Sequence, residues 1–210
     1  MKLYYAPGGA NMVVHAALEE VGRPYELRLV DIARGEQKSA EFLELNPNGR
    51  VPVLIDGPIV MYESAAIVMY LADRYPEAGL APAREPARSR YFMWMLVLSN
   101  TVEEALLRWF HPDDYIDGGE HQAVLKAAAE ARLATLWQRL DATLAEQGCL
   151  AGGAPCGADL MFYMLCYWAR RMSRPPSALP NIGAWLQDMN ERPSIVAMMA
   201  QEGLAWGFES

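Results

Sequence analysis

Hydrophobic positions in the first third of the chain change period repeatedly. Leu3-Tyr4-Tyr5 is a short β-prone run, broken at Pro7-Gly8-Gly9. Val13, Val14, Ala17, Leu18 and Val21 then recur at helical spacing as far as Gly22, which predicts strand, turn and helix. A second strand is expected over Tyr25 to Val30, and a short helix over Ser39 to Leu45 that stops at Asn46-Pro47-Asn48-Gly49. Val51 to Ile55 and Ile59 to Tyr62 read as a hairpin turning at Asp56-Gly57-Pro58, and Glu63 to Arg74 as the closing helix.

Between Pro76 and Pro86 both periodicities vanish into a stretch rich in Pro, Ala and Gly, where we place a linker. Beyond it Ala87 to Phe110, Gln122 to Gln147, Ala158 to Met172 and Ile182 to Asn190 carry helical patterning. Loops are expected at His111-Pro112-Asp113-Asp114 and Arg174-Pro175-Pro176. The expectation is α/β plus all-α: an α/β domain over 1–76 and an all-helical domain over 87–210.

Composition narrows the function classes. With 210 residues, 52% of them hydrophobic, the chain is long enough to bury a substantial core. A net charge of −8 disfavours nucleic acid and anionic membrane surfaces, which repel an acidic protein at long range. Cys149, Cys156 and Cys166 form no CxxC pair and are odd in number, which fits a reducing cytoplasm. The first residues lack the apolar core of a signal peptide, and Leu160 to Ala169 is about half a bilayer span, so neither secretion nor membrane insertion is expected. His111 with Asp113 and Asp114 reads as a solvated turn, and His15 and His121 have no ligand-like spacing, so no metal is expected. No GxGxxG, Walker or nucleophile-elbow motif occurs.

The order βαβ then ββα, with Pro52 opening the third strand, is of thioredoxin type. Asn46-Pro47-Asn48-Gly49-Arg50-Val51-Pro52-Val53-Leu54, then Tyr62-Glu63-Ser64-Ala65-Ala66-Ile67, resembles the N-terminal domain of glutathione transferases. The likeness extends through the linker to a helical domain containing Gly157-Ala158-Asp159-Leu160. It implies a thioredoxin-like domain binding glutathione as co-substrate, a hydrophobic electrophile held against the helical domain, and a homodimer. It also implies a cis peptide at Val51-Pro52, whose backbone would pair with the cysteinyl backbone of glutathione as an added strand does. Glu63 and Ser64, at a helix start, would receive the γ-glutamyl end; the bare alternative is that Ser64 caps its own helix. For the glycyl carboxylate, Arg34, Gln37 and Lys38 are all candidates.

Thiol activation is where the chain departs from pattern. A thiol of pKa about 8.5 is only ~3% thiolate at neutral pH, so a two-unit drop makes most of it nucleophilic. The opening Met1 to Asn11 looks most like the bacterial beta class, yet Ala10 stands where that class carries its cysteine. An alanine there cannot form the mixed disulfide that cysteine-dependent thiol exchange requires. Asn11, through its side-chain N–H, is the first candidate to stabilise the thiolate, with a simple N-cap as its alternative. The Tyr5 hydroxyl is the second candidate, with a packed strand residue as its alternative.

For the electrophile the candidates are Phe110, Tyr115 and Trp206, which flank loop or tail positions. The resemblance also implies that Asn100 and Glu103, on the first long helix of the second domain, lie near the dimer interface. Cys156 occupies the position of a capping Ser or Thr three residues before Asp159, so a weakened cap is expected. The resemblance points to a transferase conjugating glutathione. Glutathione-dependent peroxidase or disulfide reductase chemistry, or a non-catalytic glutathione-binding or regulatory role, are the alternatives.

Overall fold

In the computed structural model, which describes residues 1–205, β1 (Lys2–Tyr5) is the spine of a four-stranded sheet. It pairs in parallel with β2 (Glu26–Leu29) and antiparallel with β3 (Val53–Asp56), which pairs antiparallel with β4 (Ile59–Tyr62). The order β2-β1-β3-β4 is the mixed sheet of a thioredoxin-like domain, as the βαβ and ββα pattern predicts. Leu3 pairs with Leu54 and Tyr4 with Val53, so strand alternation sends these two pairs to opposite faces. On the Tyr4 face, α2 (Ala40–Leu45) contributes Phe42 to a core with Val30 and Val53. The other helices of this unit are α1 (Asn11–Val21), α3 (Ser64–Arg74) and α9 (Pro193–Gln201). α1 packs against both α3 and α9.

α1 ends where Gly22 takes φ 64° and its N–H returns to the Leu18 carbonyl, a left-handed cap that a side chain would strain. α2 begins at Ser39, whose hydroxyl accepts the Phe42 N–H. α9 has no counterpart among the helices expected from periodicity. Its signals are Pro193 in the first turn and the spacing of Ile195, Met198 and Met199, all three of them buried. The described residues divide into two units: residues 1–81 with the segment from Asn190 onward, and residues 82–189.

The second unit is all-helical: α4 (Ala87–Val97), α5 (Glu104–Phe110), α6 (Gly119–Gln147), α7 (Gly157–Ala169) and α8 (Pro180–Asn190). The single helix expected from Ala87 to Phe110 is interrupted by a π-helical turn at Leu98–Glu103, where the Ser99 hydroxyl bonds back to the Met95 carbonyl at 2.9 Å. α7 is almost wholly buried and forms the centre of the unit. Phe162 on α7 lies between Trp137 of α6 and Trp185 of α8, at ring separations of 6.2 and 4.9 Å. Asp141 of α6 fixes the start of α8 by accepting the backbone N–H groups of Asn181 and Ile182, each at 2.9 Å. No helix among the described residues is long and apolar enough to cross a membrane.

Candidate functional site

The Pro7-Gly8-Gly9-Ala10 loop connects β1 to α1, and buried polar groups behind it set its shape. Asn11 is fully buried; its Oδ1 accepts the Ala6 N–H at 3.1 Å and its Nδ2 donates to Glu202 at 2.9 Å. Glu202, just past α9, also accepts the Gly8 N–H at 3.0 Å and a bond from His15 Nδ1 at 2.9 Å. The imidazole thus bridges two groups, its Nδ1 against Glu202 and its Nε2 3.3 Å from Gln201 Oε1. A buried carboxylate is tolerated only with such partners, and here they come from three positions on one loop and helix.

Two sequence-based candidates, Asn11 and Tyr5, adjoin this network. The Asn11 side chain does not cap α1, and each of its polar atoms has a partner inside the protein. Tyr5 is half-buried with its ring edge-on to His15 at 6.3 Å, and Tyr25 approaches the same imidazole at 5.8 Å. At the start of α1, Ala10 holds the N-cap position without a side-chain cap. No hydrogen bond engages the Ala10 N–H among the described residues.

Gly9 links this loop to the next. A Cβ there would stand 2.7 Å from Asn11 Oδ1, 3.1 Å from the Ala6 carbonyl and 3.4 Å from Val51 Cγ2, so only glycine lets the two segments approach. The Val51–Pro52 peptide is cis, as the resemblance implies. Asn46 shapes the turn leading into it: its Nδ2 donates to the Arg50 carbonyl at 2.7 Å and its Oδ1 accepts the Asn48 N–H at 3.0 Å. Nothing in the local pattern marks Asn46, beyond its place in a turn, as the residue that builds that turn.

The α3 end of the site starts from Glu63, at φ 72° the one non-glycine residue with positive φ among those described. Ser64 is buried as the first residue of α3, which has no side-chain cap. The alternative role for Ser64, capping its own helix, is therefore not the one adopted.

The three candidates for the glycyl end separate. Lys38 leans over the 46–50 turn, with Nζ 3.4 Å from the Asn48 carbonyl and against Gly49. The Gln37 Oε1 is buried with no hydrogen-bond partner among the described residues. Arg34 is exposed and pairs with Asp31 at 3.4 Å.

In the second unit, Phe110 meets Trp109 edge-on at 4.9 Å. Tyr115 is 43% exposed; its hydroxyl donates to Glu104 at 3.2 Å, and Arg108 stacks over its ring. Trp206 lies outside the described residues. Asn100 and Glu103 both fall in the π-helical turn. Among the described residues no three His, Cys, Asp or Glu side chains form a group that could hold a metal.

At the start of α7 the cap expected to be weak closes in both directions. Asp159 accepts the Cys156 N–H at 2.9 Å and the Cys156 thiol at 3.4 Å, and its other oxygen accepts the Leu150 N–H at 3.0 Å. Burial, reinforced by the Asp159 charge, pushes the Cys156 thiol well above its usual range.

Comparison with known proteins converges on one family. Residues 1–73 match the family model of the glutathione S-transferase N-terminal domain, and residues 66–193 that of the C-terminal domain. A Xanthomonas campestris relative, glutathione S-transferase GST-4.5, is 31% identical over 97% of this chain and 100% of its own. A sphingomonad glutathione S-transferase, solved in complex with glutathione, is 32% identical with a TM-score of 0.83 over 98% of this chain and 100% of its own. The bacterial beta-class glutathione S-transferase of Sphingomonas chungbukensis is 31% identical, with a TM-score of 0.84 over the same shares.

Proposed function

The chain belongs to the glutathione S-transferase family, and from that premise we propose that this transferase holds glutathione extended along the first unit and directs its thiolate at a hydrophobic electrophile. In this reading the cysteinyl backbone pairs with Val51 beside the cis Pro52. The γ-glutamyl carboxylate is received by Ser64 and the N-terminus of α3, and its amino group by Glu63. Lys38 and Gln37 take the glycyl end; Arg34, already paired with Asp31, is a lesser contributor.

The sulfur lies at the start of α1. Its thiolate is stabilised by the free Ala10 N–H and the positive end of the helix, a preorganised charge environment that needs no proton transfer. Asn11 acts indirectly, as the residue that fixes the loop, and Tyr5 packs against its partner His15. The observation carrying this reading is the close approach of Gly9 to Val51, which brings the backbone-pairing strand beside the helix end. Ala10 carries no thiol, so conjugation is favoured over exchange through an enzyme mixed disulfide.

In this reading the electrophile rests on Phe110 and Tyr115 of the helical unit, with Trp206, which lies outside the described residues, as the third candidate. Two exposed apolar sets support a homodimer: Phe92, Met93 and Leu96 on α4, and Ile59, Val60 and Tyr62 on β4. Three buried free thiols fit a reducing cytoplasm and a role in detoxification there.

Calorimetric titration with glutathione tests the site. Ser64→Ala is expected to weaken binding about tenfold, equivalent to ~1.4 kcal/mol, with Arg34→Ala nearly neutral. Unchanged affinity in Ser64→Ala would remove the γ-glutamyl assignment.

A further inference from the structure

β2 closes one edge of the sheet, and α2 covers the Tyr4 face only in part. Between them opens a cavity of about 300 Å³, at the lower end of the range for small-molecule sites. Its inner wall is apolar: Tyr4 and Phe42, edge-on to each other at 6.0 Å, with Leu45 alongside. Its charged residues are Arg28, Glu36 and Glu41. None of Val51, Pro52, Glu63, Ser64 or Lys38 lines it.

We propose that this crevice is a second ligand site, distinct from the glutathione site, that takes a small aromatic ammonium compound. The charges favour a cation. Glu36 holds Arg28 only loosely, at 4.0 Å, while its other oxygen accepts the Asp31 N–H at 2.8 Å. Glu41, in the first turn of α2, has no cationic partner among the described residues. Two carboxylates against one guanidinium leave the lining net negative, on a chain whose overall charge is −8. An ammonium group is thus drawn to the mouth, where Glu41 pairs with it, and the aromatic body fills the space against Tyr4 and Phe42. An anionic ligand of the same shape meets the opposite field. Glutathione, itself anionic, is excluded by the same charges.

The test uses 2-phenylethylamine and 3-phenylpropionate, matched in body and opposite in charge, titrated into the full-length protein by calorimetry with and without saturating glutathione. The amine is expected to bind at a Kd on the order of 1 mM, at least tenfold tighter than the acid, with glutathione making no difference. Glu41→Gln should weaken the amine about fivefold, while Arg28→Gln, which removes the competing cation, should tighten it. These surface substitutions move affinity in opposite directions, so a general loss of structure cannot imitate the pattern. Absence of saturable amine binding, displacement by glutathione, equal affinity for amine and acid, or no response to either substitution would each overturn the proposal.

Discussion

The starts of α1 and α7 show how one local feature can be put to opposite uses. Both expose the positive end of a helix dipole within a folded unit. At α7 the end is sealed: Asp159 accepts from Leu150, from the Cys156 backbone and from the Cys156 thiol, leaving nothing for a ligand. At α1 the carboxylate of Glu202 is spent one step back, on the Gly8 N–H, Asn11 and His15. The cap itself is an alanine with no side-chain bond. A sealed helix end anchors a core; an end whose loop is held from behind leaves the Ala10 N–H open among the described residues, which is what the proposed thiolate site requires.

Breaking the sealed end should have the largest effect. Asp159→Ala leaves three buried donors unmet and is expected to cost about 4 kcal/mol, read as a fall in the urea midpoint. Glu202→Ala removes the rear support of the open end and should cost about 3 kcal/mol. Unlike Asp159→Ala, it should also weaken glutathione binding under conditions where the variant remains folded. If the two variants lose stability alone and to the same degree, the functional contrast between the ends fails.

The smallest effect sharpens the comparison. Cys156→Ser supplies a stronger capping oxygen and should gain about 0.5–1 kcal/mol. It should also change the alkaline limb. A buried thiol whose folded pKa lies above its unfolded value contributes stability below the unfolded pKa and loses it as pH rises toward the folded one. The parent should therefore lose stability above pH ~8.5, and Cys156→Ser should lose less. Parallel pH profiles would show that Cys156 is not the group responsible.

Much of the first unit was legible because its elements announce themselves locally. Leu3-Tyr4-Tyr5 falls inside β1, the Val13 to Val21 spacing inside α1, and Asp56-Gly57-Pro58 at the junction of β3 and β4. Glu63-Ser64 was legible as a helix start from its neighbours, whereas the cis bond at Val51-Pro52 was expected only through the family resemblance, since an X-Pro pair does not announce its isomer. Glu202 was not. Its partners Gly8, Asn11 and His15 lie nearly the whole chain away, and no periodicity connects an acid past the last helix to the first loop. Nor does any local signal show that the Asn11 amide donates to Glu202. The π-helical turn was equally hidden, since 98–103 keeps an apolar pattern compatible with an α-helix. Arg34 and Lys38 were inseparable until Asp31 was seen to occupy one and the Asn48–Gly49 turn to receive the other.

The most direct measurement is the ultraviolet thiolate absorbance of bound glutathione against pH, for the parent, Ala10→Pro and Asn11→Ala. Ala10 has φ −64°, which proline adopts, so Ala10→Pro deletes the N–H donor with little change to its own backbone angle. The account predicts a parent pKa about two units below that of free glutathione, ~2.7 kcal/mol of thiolate stabilisation. Ala10→Pro should abolish most of that shift and Asn11→Ala should keep most of it. A shift lost in Asn11→Ala but retained in Ala10→Pro would contradict the account and return the role of donor to the asparagine side chain.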